Sequence, residues 1–177
     1  MILPLALVTI RGAQTAPVRD IDNANEIWSR ECGVFVQLDA TVEVDRPDLL
    51  VLSQTDCLLV GHVVSTEEDA LFDIGRNLGV DVVGYYVQSD VAGFRGCAAH
   101  PPGQRGFWVA DSATPWTLAH EATHVVGGNR HVTDSDNLMF TPTSGITNLP
   151  PDLAADQCAR VLADPALLCI PSIVLNL

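Results

Sequence analysis

Residues 114–131 read Thr-Pro-Trp-Thr-Leu-Ala-His-Glu-Ala-Thr-His-Val-Val-Gly-Gly-Asn-Arg-His, and Met139 follows within Asn137-Leu138-Met139-Phe140-Thr141-Pro142. Thr114-Pro115 is a helix start, with Thr as N-cap and Pro in the first helical position. The helix is predicted to run to Val126, where Gly127-Gly128 breaks it. His120 and His124 are four residues apart, so they share one face, one turn above the other, and both imidazoles can reach a single metal. Glu121 lies beside that face, placed to hydrogen-bond a water on the metal rather than to ligate it. A catalytic zinc needs a third protein ligand and an open position for water. His131 supplies the ligand, and Gly127 and Gly128 let the chain leave the helix and turn back, through positive φ or close backbone approach. Asp134 and Asp136 are the rival third ligands, but imidazole is the better placed and better zinc donor. A scheme with a downstream glutamate is excluded, because no Glu follows Glu121. His62 and His100 fit no ligand spacing and read as surface or loop histidines.

These residues resemble the metzincin zinc endopeptidases, whose signature is H-E-x-x-H-x-x-G-x-x-H followed by a methionine turn. His120, Glu121, His124 and Gly127 match it directly, and Met139 matches the methionine turn, an apolar floor that does not bind the metal. The short interval from His131 to Met139 is like that of the matrixin-like members. Two features depart from the pattern. Six residues separate His124 from His131, where the family usually has five, so either the loop bulges or Gly128 takes the turn position. Val132 follows the third histidine and Thr141 stands two positions after Met139, where some members carry a tyrosine ligand, so no subfamily is assigned.

The resemblance implies one catalytic zinc and a protein or peptide substrate lying extended along the cleft; calcium is left open. Phe94–Ala99 would be the exposed antiparallel edge of the sheet, so Phe94, Arg95, Gly96, Cys97 and Ala98 would meet substrate backbone. Phe140, Thr141, Pro142 and Thr143 would begin a wall, reaching to Ile146, for the residue after the scissile bond. The leading expectation is a zinc endopeptidase with Glu121 as general base and acid. The alternatives are a narrow-specificity processing protease or toxin, or a zinc-binding but proteolytically inactive interaction domain. Intact Glu121 argues against the last. Members of the family are often held latent, so a pro-segment or protein inhibitor is a further partner to look for. The chain is expected to act as a monomer.

The flanking sequence supplies a scaffold. Val34 to Val44 alternates apolar Val34, Val36, Leu38, Ala40, Val42 and Val44 with Phe35, Gln37, Asp39, Thr41 and Glu43, a strand with one buried face. Ile21, Ala24 and Trp28 recur at helical spacing within an amphipathic helix over 18–31. Ser65-Thr66-Glu67-Glu68 is a capping box opening a second helix with Leu71, Ile74 and Leu78 on one face, and Gly79 ends it. Strands are further expected over 5–10, 80–87, 94–99 and 107–110, and a last helix from Pro150-Pro151 to about Ala163. The order points to an α/β or α+β domain with a twisted, mixed five-stranded sheet, a backing helix and an active-site helix. Residues 1–177 read as one catalytic domain, with an N-terminal subdomain over 1–127 and a smaller irregular C-terminal subdomain over 128–177.

Composition bounds the rest. A chain of 177 residues with 47% hydrophobic residues fits one domain with a packed core. Its net charge of −13 argues against nucleic acid and anionic membrane surfaces as partners. No apolar run reaches the twenty or so residues that span a bilayer. Five cysteines without a C-x-x-C pair favour an oxidising compartment and leave at least one thiol unpaired. Cys158–Cys169 is the expected bridge, with Cys97 buried or bridged. The protein is therefore expected to be secreted. Met1 to Val8 resembles the apolar part of a signal peptide but lacks a basic leader and a clear cleavage site. A strand over Leu5 to Ile10 is therefore the better reading, and an exported protein would have this chain as its mature or trimmed form.

Overall fold

A computed structural model describes residues 1–52, 64–89 and 95–169. Within these residues the strands are β1 (Ile2–Ile10), β2 (Phe35–Val44), β3 (Val51–Leu52), β4 (Val82–Ser89), β5 (Gly96–Cys97) and β6 (Gly106–Ala110). The helices are α1 (Pro17–Cys32), α2 (Thr66–Gly75), α3 (Thr117–Val125) and α4 (Ala155–Leu162). The fold is the expected mixed α/β arrangement. The sheet order is β2-β1-β4-β6-β5, and the two-residue β3 pairs with β4 as a sixth strand beyond the five expected. All pairings are parallel except β5 against β6, and β5 forms one edge.

β1 is nearly all apolar because it is covered on both faces. Leu3, Leu5 and Leu7 face a core shared with α1, α3 and α4, whereas Ala6, Val8 and Ile10 face a core shared with α2. Alternation in β2 falls as read, with Val34 and Val36 buried and Phe35 and Gln37 exposed. Ser65 caps α2 in the expected box with Glu68, and the buried Glu68 carboxylate also accepts from Trp108 Nε1 at 2.8 Å, tying α2 to β6. α1 is the platform for the site: Trp28 Nε1 donates to Thr123 Oγ1 on α3 at 3.1 Å. At its far end Cys32 is disulfide-bonded to Cys158 on α4, with Cα atoms 5.1 Å apart.

That bridge corrects the expected Cys158–Cys169 pairing. Cys158 lies on the inward face of α4, against α1, while Cys169 is exposed and free. Cys97 is also disulfide-bonded; Cys57 and His62 lie outside the described residues. Several boundaries also shift. α2 ends at Gly75 rather than Gly79, because the N–H groups of Arg76 and Leu78 bond back only three residues, to the Asp73 and Gly75 carbonyls, as turns. The strand expected over 94–99 pairs only at Gly96 and Cys97, and Phe94 lies outside the described residues. α3 starts at Thr117 rather than Pro115, because Thr114 N–H bonds Thr117 Oγ1 and Thr117 N–H bonds the Thr114 carbonyl, forming a separate turn. α4 starts at Ala155 rather than Pro150, because Asp152 pairs with the segment before Met139: its N–H reaches the Asp136 carbonyl, and its carbonyl accepts from Leu138. No helix among the described residues is long and apolar enough to cross a membrane.

Candidate metal centre

His120 and His124 project from successive turns of α3, and His131 comes back to meet them. The return is made by two glycines in the left-handed region, Gly127 at φ 90° and Gly128 at φ 62°. Gly127 lies against the backbone of α4, where a Cβ would sit 2.7 Å from the Val161 nitrogen, whereas Gly128 has open space. Both glycines turn, which absorbs the additional residue between His124 and His131. The turn is anchored from outside: Asp164 accepts from Gly127 N–H at 2.9 Å and pairs with Arg105, which also donates to the Val125 carbonyl at 2.8 Å.

The three Nε2 atoms form a nearly equilateral triangle with sides of 3.1 Å (120–124), 3.2 Å (120–131) and 3.0 Å (124–131). His120 Nδ1–H donates to the Leu138 carbonyl at 2.7 Å and His124 Nδ1–H to the Asn129 carbonyl at 2.6 Å. These bonds hold the protons of His120 and His124 on Nδ1 and turn unprotonated Nε2 lone pairs inward, as metal-ligating histidines require. Lone pairs so close repel unless a cation sits among them. Ligand atoms about 2.0–2.1 Å from a tetrahedral zinc lie roughly 3.3 Å apart, close to the observed sides. The donor set therefore fits zinc, held by His120, His124 and His131. Burial, then the neighbouring His124, lowers the His120 pKa to about 3, and burial lowers that of His124 to about 4. Burial also lowers the His131 pKa. All three are neutral at pH 7, the form that binds metal.

Glu121 is 7% exposed, and burial raises its carboxyl to about 8. β5 passes directly against it: a Cβ on Gly96 would lie 2.8 Å from Glu121 Oε1 and 3.0 Å from Thr117 Cγ2. Met139 is fully buried, one residue past the carbonyl that orients His120, and its N–H donates to Asn137 Oδ1 at 2.8 Å. Asn137 in turn exchanges hydrogen bonds with Gln157 of α4.

The remaining sequence candidates divide. Arg95, Gly96, Cys97 and Ala98 lie on or beside edge strand β5. Beyond Met139, Phe140 is half-buried, Thr141 and Pro142 are exposed, and Thr143 is buried. His100 lies apart from the cluster, its ring beside the Pro101 carbonyl. Asp134 and Asp136 are outside the histidine group. Sequence reading missed Thr117, whose hydroxyl meets those of Thr114 and Thr143, although its position four before Glu121 put it on the same face of the helix. It also missed the carbonyls of Leu138 and Asn129 and the Arg105–Asp164 anchor, for which residue type carries no signal.

The sequence matches no family model and no curated protein. Solved structures share the fold. Metalloproteinase-II from Bacteroides fragilis superposes with a TM-score of 0.62 at 16% identity, over 91% of this chain and 52% of that one. Archaemetzincin from Methanopyrus kandleri gives 0.53 at 18% identity, over 90% and 93%. A chain in a chaperone–substrate complex gives 0.54 at 13% identity, over 76% and 24%. The chain thus spans about half the length of the Bacteroides protein and nearly all of the archaemetzincin. What it shares with them is a metalloproteinase-like fold.

Proposed function

We propose that the protein is a zinc-dependent endopeptidase with Glu121 as its general base and acid. The observation that carries this reading is the triangle of three Nε2 atoms with the Glu121 carboxyl on the same helix and the edge strand β5 passing against it. When bound, zinc supplies Lewis acidity: it lowers the pKa of water to about 7 and polarises a carbonyl. The chain's own groups do the rest. His120, His124 and His131 hold the ion as neutral donors, and the Leu138 and Asn129 carbonyls keep two of them oriented. Substrate backbone adds antiparallel to β5, which sets the scissile carbonyl against Glu121. Beside a bound cation the Glu121 carboxyl is drawn back to its ionised form at pH 7, and the carboxylate then takes the proton of the attacking water and returns it to the departing amine.

A carboxyl buried beside a metal site serves proton transfer and contributes nothing to a merely structural zinc, which disfavours an inactive binding module. The Cys32–Cys158 bridge supports an oxidising, extracytoplasmic location. The test is digestion of unfolded casein by zinc-loaded wild type and Glu121→Ala, each shown to be folded with one zinc. Cleavage by wild type alone is expected. Equal cleavage by both overturns the role of Glu121, and cleavage by neither overturns the endopeptidase reading.

A further inference from the structure

One residue of α4 reaches both loops that aim the metal-site histidines. Gln157 and Asn137 are buried, 4% and 7% exposed, and their side-chain amides pair. Asn137 Nδ2 donates to Gln157 Oε1 at 2.9 Å, and Gln157 Nε2 donates to Asn137 Oδ1 at 3.2 Å. Neither amide can be turned over. Met139 N–H donates to Asn137 Oδ1 at 2.8 Å and Ala154 N–H to Gln157 Oε1 at 2.7 Å, and a backbone N–H cannot face an NH2 group. Asn137 therefore stands locked immediately before Leu138, whose carbonyl accepts from His120 Nδ1. Gln157 also offers its main-chain carbonyl to Asn129 Nδ2 at 3.3 Å, and the Asn129 carbonyl accepts from His124 Nδ1.

This double contact explains the residue type. Gln157 is the third residue of α4, and its Oε1 closes the helix start on Ala154 N–H, a task that glutamate performs as well. Of the two, only glutamine also donates to Asn137. The neighbouring Cys158 is bonded to Cys32 of α1, and α1 is held to α3 through Trp28 and Thr123. The contacts thus close a ring from α3 through both histidine-orienting loops to α4, on to α1 and back.

We infer, resting on the reading of the three histidines as a zinc site, that Gln157 is a positioning residue which sets how tightly the metal is held. Its amide holds Asn137, Asn137 holds the Leu138 carbonyl, and that carbonyl keeps the His120 Nε2 lone pair turned inward. Partners of this kind are worth about ten- to a hundredfold in metal affinity. His124 provides an internal control: any residue at position 157 other than a changed backbone keeps the main-chain carbonyl that Asn129 bonds.

The experiment measures the zinc dissociation constants of wild type, Gln157→Met and Gln157→Glu at pH 7 by competition with a chromophoric chelator. Exchange of the imidazole Nδ1–H protons in the zinc-loaded proteins is followed by NMR. Gln157→Met keeps the side-chain length and loses both bonds to Asn137. It should bind zinc about ten- to a hundredfold more weakly, with faster exchange at His120 and wild-type exchange at His124. Gln157→Glu keeps the bonds that Oε1 accepts and loses only the donated one, so its affinity should fall between the two, and it decides where Gln157→Met does not fold. Folded variants with wild-type zinc affinity overturn the inference and leave the zinc site standing. Faster exchange at both histidines does the same, since it marks general loosening. In wild type the Asn137 and Gln157 side-chain amide protons should be protected, and their free exchange overturns the locked pair even where no variant folds. A wild type that binds no zinc overturns the zinc-site reading and the inference with it.

Discussion

Glu121 and the histidines around it titrate in opposite directions, and the metal-free protein must reconcile them. Burial raises the Glu121 carboxyl from 4.5 to about 8, so its contribution to stability is full below about pH 4.5 and is lost as pH rises toward 8. His120 and His124 are depressed from 6.5 to about 3 and 4, so their contribution is present above about pH 6.5 and lost as pH falls. Glu121→Gln removes only the alkaline loss. In thermal melts of metal-free protein the variant should exceed wild type by about 3 °C or more at pH 8 and match it near pH 4.5. Its peptidase activity at pH 7 should fall at least about a hundredfold with zinc still bound. Equal melting curves at all pH values would contradict the burial of a lone carboxyl. At this scale the histidine cluster is legible from spacing: His120, His124 and His131 come together as expected, and Glu121 lies buried on the same helix. What stayed hidden were backbone carbonyls, which every residue carries and only the fold can aim.

Among the elements, β5 shows where periodicity runs out. A two-residue strand has no pattern to read, and the expected 94–99 strand was longer than the pairing that forms. Its meaning lies in Gly96, the only kind of residue that passes Glu121 without collision. Gly96→Ala puts a methyl 2.8 Å from Glu121 Oε1 and should lower kcat/KM about tenfold or more, with zinc content and melting temperature nearly unchanged. Measuring all three separates displacement of the base from general damage; undiminished activity would contradict the close passage. Helix boundaries were misplaced for a related reason. Pro115 and Pro150-Pro151 are sound start signals, yet Thr117 closes a turn of its own and Asp152 pairs with the methionine segment, so tertiary partners took residues that local rules gave to helices.

Across the whole molecule, the sheet and α1 exist to hold α3 against a C-terminal segment that is poor in regular structure. Trp28 to Thr123, Cys32 to Cys158, and Arg105 to Asp164 each join parts of the chain remote in sequence. The alternating β2 and the nearly all-apolar β1 announced the layers, and the fold class was readable from them. The disulfide partner was not, since spacing along the chain says nothing about which helix faces Cys158. The zinc-edge X-ray absorption spectrum of the folded, zinc-loaded protein tests most directly whether one ion sits among the three imidazoles. The expected result is three imidazole nitrogens and one oxygen at about 2.0–2.1 Å. A sulfur donor, pointing to the free thiol of Cys169, or a shell with fewer than three imidazoles would contradict it.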